Sequence, residues 1–129
     1  PYDPVLYQMT NFSLIAETHF DGNQEFHPTE KTYRAIANMH PFVIASTPLF
    51  LNHLRNKGYR TFSNLINENY DIQQNHKFRL NNIISTLNDA TRTDYSWFKK
   101  DVEFNVNVLK NNAKNTLNLI NNGLNNSKE

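Results

Sequence analysis

The sequence predicts an α/β fold with a small parallel sheet of about three strands and a helical C-terminal extension. Up to residue 71, short apolar runs alternate with segments of helical spacing, an order typical of parallel strands joined by helices. Beyond residue 71 only helical spacing remains. Because 129 residues suffice for one hydrophobic core, we expect an α/β segment over 1–71 and a helical extension over 72–129 that packs on the same domain.

The first regular element is predicted to be a strand. Residues 1–11 contain two prolines and little periodicity, so we expect an extended lead-in there. Phe12–Thr18 is a short apolar run with polar ends, which favours a buried strand. Residues 19–28 contain a glycine and a proline and are predicted to form a loop.

A helix and a second strand follow the loop. The helix is predicted to begin at Thr29 and to end before Pro41, because four residues keep i, i+3, i+4, i+7 spacing on one face: Tyr33, Ile36, Ala37 and His40. Phe42–Ala45 is a continuous apolar run, as in an inner parallel strand that is buried on both faces. Strand, loop, helix and strand therefore form one predicted unit.

A second helix and a third strand complete the predicted α/β segment. Thr47 and Pro48 open the helix, since proline is favoured at an early helical position. Gly58 is predicted to end it as a C-cap. Tyr59–Phe62 is predicted to be the third strand.

Two helices with apolar stripes make up the predicted extension. The first stripe consists of Leu80, Ile83, Ile84 and Leu87. The second covers about six turns and consists of Phe98, Val102, Val106, Leu109, Ala113, Leu117 and Ile120. The α/β segment is too small to cover this second stripe. We therefore expect its outer turns to pack on the first helix, on a second copy in a homo-oligomer, or on an N-terminal domain outside this sequence.

Composition argues against several functional classes. The absence of cysteine excludes disulfides, thiolate metal sites and cysteine nucleophiles. A formal net charge of +1 gives no reason to expect binding to nucleic acid or to an anionic membrane. No apolar run approaches the roughly 20 residues of a transmembrane helix, so we expect no membrane contact and a cytoplasmic location. No histidine pair has metal-site spacing, and we expect neither a metal nor a cofactor.

Polar residues around the predicted loop form a candidate anion-binding site: Glu17, Thr29, Glu30, Lys31 and Arg34. Glu17 ends the first strand, and parallel sheets bind ligands at the carboxyl ends of their strands. Glu30 and Lys31 lie in the first helical turn, where backbone N–H groups and the helix dipole favour anions. A lysine opposes the dipole there, and a phosphate held by Lys31 together with the N–H groups would explain its position.

The remaining members of this site have two interpretations each. Glu30 suits ribose hydroxyls, and Arg34 lies one turn beyond Lys31 on the same face. The alternative is an ordinary solvated first turn, capped by Thr29 or His27, with a solvated Arg34 and with Glu17 as a charge exposed where the strand meets solvent.

The order of these elements resembles the donor-binding segment of the fucosyltransferases. The resemblance rests on FSLIAET, followed by HPTEKTYRAIANMHPFVIAS with its Thr29-Glu30-Lys31 motif, and covers about residues 12–71. Phage-type proteins that combine a TEKT motif, a proline-phenylalanine strand and a glycine-aromatic element are also similar. In this chain the last element is Gly58–Phe62.

The resemblance implies the Rossmann-like, donor-binding half of a GT-B glycosyltransferase that performs inverting sugar transfer. It implies that Glu30 and Lys31 bind a nucleotide-sugar, with a GDP-sugar as one candidate, and that Glu17 belongs to the same pocket. Ser46-Thr47-Pro48 stands where the family has a glycine-proline turn. The acceptor half, which carries the family's catalytic base, is not expected within these 129 residues, so no catalytic residue is assigned and no turnover by this chain alone is expected.

A non-enzymatic reading of the same sequence stays open. A structural or assembly protein, for example of a virion, retains the fold and uses its helices to bind partners. Fold alone does not decide between the two functions.

Overall fold

The computed structural model describes residues 3–20, 26 and 28–127, so most of the predicted loop over 19–28 lies outside the described residues. Helices and strands alternate at first, and helices alone follow. The elements are α1 (Pro4–Met9), β1 (Ser13–Ala16), α2 (Glu30–Ala37), β2 (Phe42–Ala45), α3 (Phe50–Asn56), α4 (His76–Ala90) and α5 (Lys99–Ser127). Two short 3-10 turns, Asn69–Ile72 and Tyr95–Trp97, precede α4 and α5.

The sheet is parallel, as predicted, and within the described ranges it has two strands. β1 pairs with β2 so that Ser13 lies opposite Phe42 and Ala16 opposite Ala45. β2 is the inner strand, with Phe42, Val43 and Ile44 buried. On its far side the Ile44 N–H donates a hydrogen bond of 3.4 Å to the Tyr70 hydroxyl, so a side chain stands where a third strand would pair.

The prediction of a third strand at Tyr59–Phe62 is wrong. The amide of Asn105 on α5 pairs with the backbone of Arg60: Oδ1 accepts from the N–H at 2.7 Å, and Nδ2 donates to the carbonyl at 2.9 Å. The N–H of Phe62 donates to Glu68 Oε2 at 3.0 Å. Backbone groups that a strand ladder would use are therefore satisfied by side chains.

The predicted extended lead-in is also wrong, because residues 4–9 form α1. The side chain of Asp3 accepts a hydrogen bond of 3.0 Å from the N–H of Val5, and Pro4 occupies the first turn. An aspartate cap followed by proline is a strong helix start, which outweighs the weak periodicity of this segment.

The other predicted boundaries hold within a few residues. Thr29 caps α2, which ends at Ala37 rather than at the predicted His40. His40 is buried after the turn, with Nδ1 2.9 Å from Ser13 Oγ and Nε2 2.7 Å from the Tyr7 carbonyl. Gly58 follows α3 with φ 97°, a left-handed conformation suited to a residue without a side chain.

One hydrophobic core joins the α/β segment to the extension. Phe62 lies edge-on to Phe42 and to Phe98, with ring centroids 4.9 and 5.5 Å apart. Phe98 also contacts Phe12, which precedes β1, at 6.3 Å. This aromatic row connects the sheet to the start of α5.

The predicted apolar stripe of α4 is only partly buried. Ile83 is buried, but Leu80 and Ile84 are about half exposed. Arg79 and Thr86 point inward instead, because they satisfy loop carbonyls. Thr86 Oγ1 donates to the Asn67 carbonyl at 2.6 Å, and the Arg79 guanidinium donates to the carbonyls of Phe20, Gln73 and Gln74.

The long helix α5 packs on α2 through its first part only. Val102 and Asn105 are buried, and Val106 and Leu109 are partly buried. Every residue from 110 to 124 is exposed, so the outer turns do not pack on α4 within this chain. Packing of these turns on a second copy stays a prediction. Over the described ranges, no helix combines the length and the apolar character that a membrane span requires.

Candidate functional site

Polar residues follow both strands at the carboxyl edge of the sheet. Glu17 comes directly after β1, and its N–H donates to the Ala45 carbonyl at 3.0 Å. Ser46 and Thr47 come directly after β2 and are buried. This is the edge at which parallel α/β sheets bind ligands.

The carboxylate of Glu17 is turned inward, toward α2. It is 8% exposed, and Oε1 accepts hydrogen bonds from the Thr29 N–H at 3.2 Å and from Thr32 Oγ1 at 2.5 Å. An acid at this end of a helix satisfies unpaired donors and the positive end of the helix dipole. Oε2 is buried and accepts no hydrogen bond from the described residues. Glu17, which the sequence predicts to bind a ligand, therefore holds α2 against β1.

The side chain of Lys31 returns to the sheet. The Lys31 N–H donates to Thr29 Oγ1 at 3.2 Å, and its ammonium Nζ donates to the Ala16 carbonyl at 3.0 Å. The carbonyl partly compensates a cation that opposes the helix dipole. The same contact places the ammonium at the carboxyl end of β1. Glu30, the preceding residue, is exposed.

A groove of about 390 Å³ lies between α1, the outer side of β1 and α2. Lys31 and Arg34 form its basic wall, and Leu6, Tyr7 and Thr10 line the side of α1. Its floor is the run from Phe12 to Ala16. One acidic residue, Asp3, is among the residues that line it.

The five residues of the predicted site thus form two groups and a separate side chain. Lys31 and Arg34 share the groove, as predicted from their spacing. Glu17 and Thr29 are joined by a hydrogen bond and do not line it. Glu30 is exposed in the first turn of α2 and does not line it either. Whether these residues bind a donor stays a prediction.

A second polar cluster, which the sequence did not single out, consists of Arg55, Glu68 and Asp71. The two acidic side chains are 6% and 5% exposed, and the guanidinium lies 3.7 Å from Glu68 Oε1 and 3.9 Å from Asp71 Oδ2. Burial raises the pKa of both carboxyl groups, although backbone N–H donors and Arg55 partly oppose the shift.

This cluster fixes the segment between α3 and α4. Asp71 accepts hydrogen bonds from the N–H groups of Leu51 at 2.8 Å and Asn52 at 3.1 Å, and so caps α3. A polar groove of about 580 Å³ lies beside the cluster, lined by residues that include Asn64, Asn67, Asn69 and Asp89. For residues 67–71 the sequence favours a polar connection to the next helix over a segment that borders the ligand cleft. The sequence feature that indicates burial of this segment is an aromatic residue, Tyr70, between its two acidic residues, Glu68 and Asp71.

Metal-binding geometry is not found in the part of the chain that the structure describes. No three of its histidine, aspartate and glutamate side chains lie close enough together to hold a metal ion. His27 lies outside the described residues.

Comparison with known proteins gives no relative on which to base a function. No family model, curated protein or solved structure matches this chain.

Proposed function

We propose that this chain binds the diphosphate of a nucleotide-sugar, as the Rossmann-like donor-binding half of a GT-B glycosyltransferase. The observation that carries the proposal is that Lys31 and Arg34 line one groove that follows β1, with the Lys31 ammonium at the carboxyl end of that strand. Two cations one helical turn apart suit the adjacent negative groups of a diphosphate, because ion-paired hydrogen bonds to phosphate are short and strong.

Binding requires the ammonium of Lys31 to exchange one acceptor for another. Its present partner is the Ala16 carbonyl, a neutral acceptor, in a hydrogen bond exposed to solvent. A phosphate oxygen is itself charged, which strengthens the bond that replaces it. The exchange therefore favours the bound state.

The other predicted residues receive different roles under this proposal. Glu17 and Thr29 are positioning residues, since their hydrogen bond fixes the start of α2 and hence the position of Lys31. Glu30 is the exposed carboxylate that suits ribose hydroxyls. The proposal assigns no catalytic base, and it expects binding without sugar transfer by these residues alone.

Thermal unfolding in the presence of GDP tests this proposal. A ligand that binds only the folded state stabilises it by about 2.7 kcal/mol at 100 times Kd, so the melting temperature rises with GDP concentration. Lys31→Ala and Arg34→Ala should each weaken this response.

Lys77→Ala is the matched control. Lys77 is also the second residue of a helix, and its N–H also donates to the side chain of the N-cap residue, Asn75. It lies on α4 and does not line the groove. The absence of any melting shift at millimolar GDP would refute donor binding. Equal effects of Lys31→Ala and Lys77→Ala would show that the response depends on overall charge.

A structural or assembly protein is the second candidate. One observation favours it: the outer part of α5 exposes Leu117, Ile120 and Leu124, each more than half accessible to solvent. A binding partner would cover these residues, which a donor-binding site does not require.

A further inference from the structure

The outer part of α5 carries a row of exposed apolar side chains. Leu117 is 60% exposed, Ile120 is 53% exposed and Leu124 is 55% exposed. Their i, i+3, i+7 spacing places them on one face of the helix. A free helix of this length is marginal in water, because its stability depends on burial of its apolar face.

A groove of about 640 Å³ continues this row toward the body of the protein. Leu109, Ala113 and Leu117 line it on α5, and Tyr33 and Tyr59 line its other wall. Leu117 belongs both to the groove and to the exposed row. Together they form one surface, which we call the α5 strip and define as Leu109, Ala113, Leu117, Ile120 and Leu124.

The dimensions of the α5 strip suit a helix. The strip extends over about 23 Å at 1.5 Å per residue, or about four helical turns. A groove that leads into a row of large apolar side chains is the usual receptor for the apolar face of an amphipathic helix.

Among the described residues, the charged side chains that line the groove or lie on α5 beside the strip are lysines. Lys57 lines the groove wall. Lys110 and Lys114, one turn apart, lie beside the strip on α5. Residues 104–124 contain no aspartate or glutamate. Tyr59 is buried, and its hydroxyl accepts a hydrogen bond of 3.4 Å from Asn112 Nδ2. A partner that complements the lysines must supply negative charge.

This charge pattern distinguishes two occupants. A second copy of the chain would bring the same lysines and no acid from its own strip, which places like charges against each other. We propose that the α5 strip docks an amphipathic helix of another protein, with glutamate or aspartate on both sides of its apolar face. The proposal rests on the assembly-protein candidate, and the strip shares no residue with the groove assigned to the diphosphate.

The probe is a fluorescein-labelled synthetic helix of about 16 residues with leucine on one face and glutamate on both flanks. A second peptide has lysine in place of every glutamate, and a third has the first composition in scrambled order. Fluorescence anisotropy should show binding of the glutamate peptide and at least about tenfold weaker binding of the other two.

Variants at exposed positions locate the binding surface. Leu117→Glu should abolish binding of the glutamate peptide. Lys110→Glu combined with Lys114→Glu should reverse the preference toward the lysine peptide. Lys99→Glu combined with Lys100→Glu makes the same change in net charge elsewhere on α5 and should leave the preference intact. All of these side chains are exposed, so the melting temperatures should show that each variant folds.

Three results would overturn the proposal. Equal affinity for the scrambled peptide would show that only net charge is recognised. A lack of binding by the glutamate peptide at millimolar concentration would show that the strip is no receptor for such a helix. Light scattering that gives a dimer, dissociated by Leu117→Glu, would assign the strip to a second copy. None of these results involves GDP, so failure of the diphosphate proposal is detected separately.

Discussion

The two halves of α5 have the same apolar spacing and opposite surroundings. In the inner half (residues 99–110), Val102 and Asn105 are each 1% exposed. In the outer half (residues 111–124), Leu117 is 60% exposed and Ile120 is 53% exposed. The difference lies in what the rest of the chain offers. The inner half meets α2 and the backbone of Arg60, and Phe98, directly before it, meets Phe62, whereas no described residue buries the outer half.

The comparison separates two properties that are both predicted from apolar periodicity: formation of a helix and burial of its apolar face. Regular apolar spacing predicts a helix and one of its faces, and both predictions hold along α5. Burial depends on a second surface, which the spacing cannot reveal. The inner half is therefore part of the folding core. The outer half is tied to the rest of the protein by the hydrogen bond from Asn112 to Tyr59 and otherwise depends on its own helical hydrogen bonds.

The largest expected effect concerns Phe98, directly before the inner half. Phe98→Ala removes a ring that is 1% exposed and contacts both Phe12 and Phe62. We expect the free energy of unfolding to fall by about 3–5 kcal/mol, because the cavity adds to the lost burial. Urea denaturation measures the change.

Leu117→Ala is the control in the outer half. Since its side chain is 60% exposed, we expect a change within about 0.5 kcal/mol. Comparable losses for Phe98→Ala and Leu117→Ala would contradict the division of α5, because the outer half would then contribute to the core.

A smaller loss of stability is expected when the contact between Asn105 and the backbone of Arg60 is removed. This contact takes the place of a third strand. Asn105→Ala removes the partners of both the N–H and the carbonyl of Arg60. Two backbone groups left without partners should lower the free energy of unfolding by about 2 kcal/mol. Asn107→Ala, which changes an exposed asparagine two residues further along α5, should have little effect. Equal unfolding curves for both variants would show that the Asn105 pairing does not hold the segment.

Much of the fold follows from local patterns in the sequence. The apolar run Phe42–Ala45 predicts the inner strand, and Thr29 and Gly58 predict helix ends that the structure confirms. The third strand could not be excluded in this way. Tyr59–Phe62 has a strand-like composition, but its backbone partner is Asn105, a residue 45 positions away from Arg60. Local preference does not show which distant side chain competes for backbone groups.

Prediction of the candidate site from the sequence has the same limit. Lys31 and Arg34 share a groove because they share a helix face, which their spacing predicts. Glu17 follows its strand as expected, yet its carboxylate faces Thr29 and Thr32 instead of that groove. A carboxylate beside helical N–H donors is satisfied without a ligand, and the sequence does not tell which partner it meets.

A pH-dependent effect is expected in the segment between α3 and α4 that contains Glu68 and Asp71. Burial raises the pKa of Glu68 and Asp71 in the folded state. The folded protein therefore binds these protons more tightly than the unfolded chain, whose glutamates titrate near about 4.3. The two protonated carboxyl groups contribute fully to stability below that pH. This contribution is lost as the pH rises through their raised pKa values in the folded state. The effect should be smaller than that of Asn105→Ala.

Glu68→Gln removes one of the two titrations. Relative to the unmodified protein, this variant should become progressively more stable as pH rises from about 4 toward neutrality. Urea denaturation at a series of pH values measures the difference. Glu103→Gln changes an exposed glutamate on α5 and serves as the control. A stability difference for Glu68→Gln that does not vary with pH would refute the assignment.

The smallest effect is expected in the outer half itself. A side chain added at Gly123 would meet no atom within 4 Å, so Gly123→Ala should act only through helix propensity. Alanine favours a helix interior over glycine by about 0.5–1 kcal/mol. If the outer half opens independently of the core, amide hydrogen exchange in residues 111–124 should slow by about two- to fivefold. The global free energy of unfolding should change by no more than about 0.5 kcal/mol.

Gly58→Ala is the corresponding substitution at the boundary of the core. Gly58 has φ 97°, which an alanine adopts only with strain of about 1–2 kcal/mol. It lies beside the inner half, where an added Cβ would be 3.8 Å from Val108 Cγ1. The same chemical change should therefore lower global stability at position 58 and slow only local exchange at position 123. A rise of about 0.5–1 kcal/mol in the global free energy of unfolding for Gly123→Ala would mean that α5 unfolds as one cooperative unit, because an outer half coupled to the core passes its gain in helix stability to the whole protein.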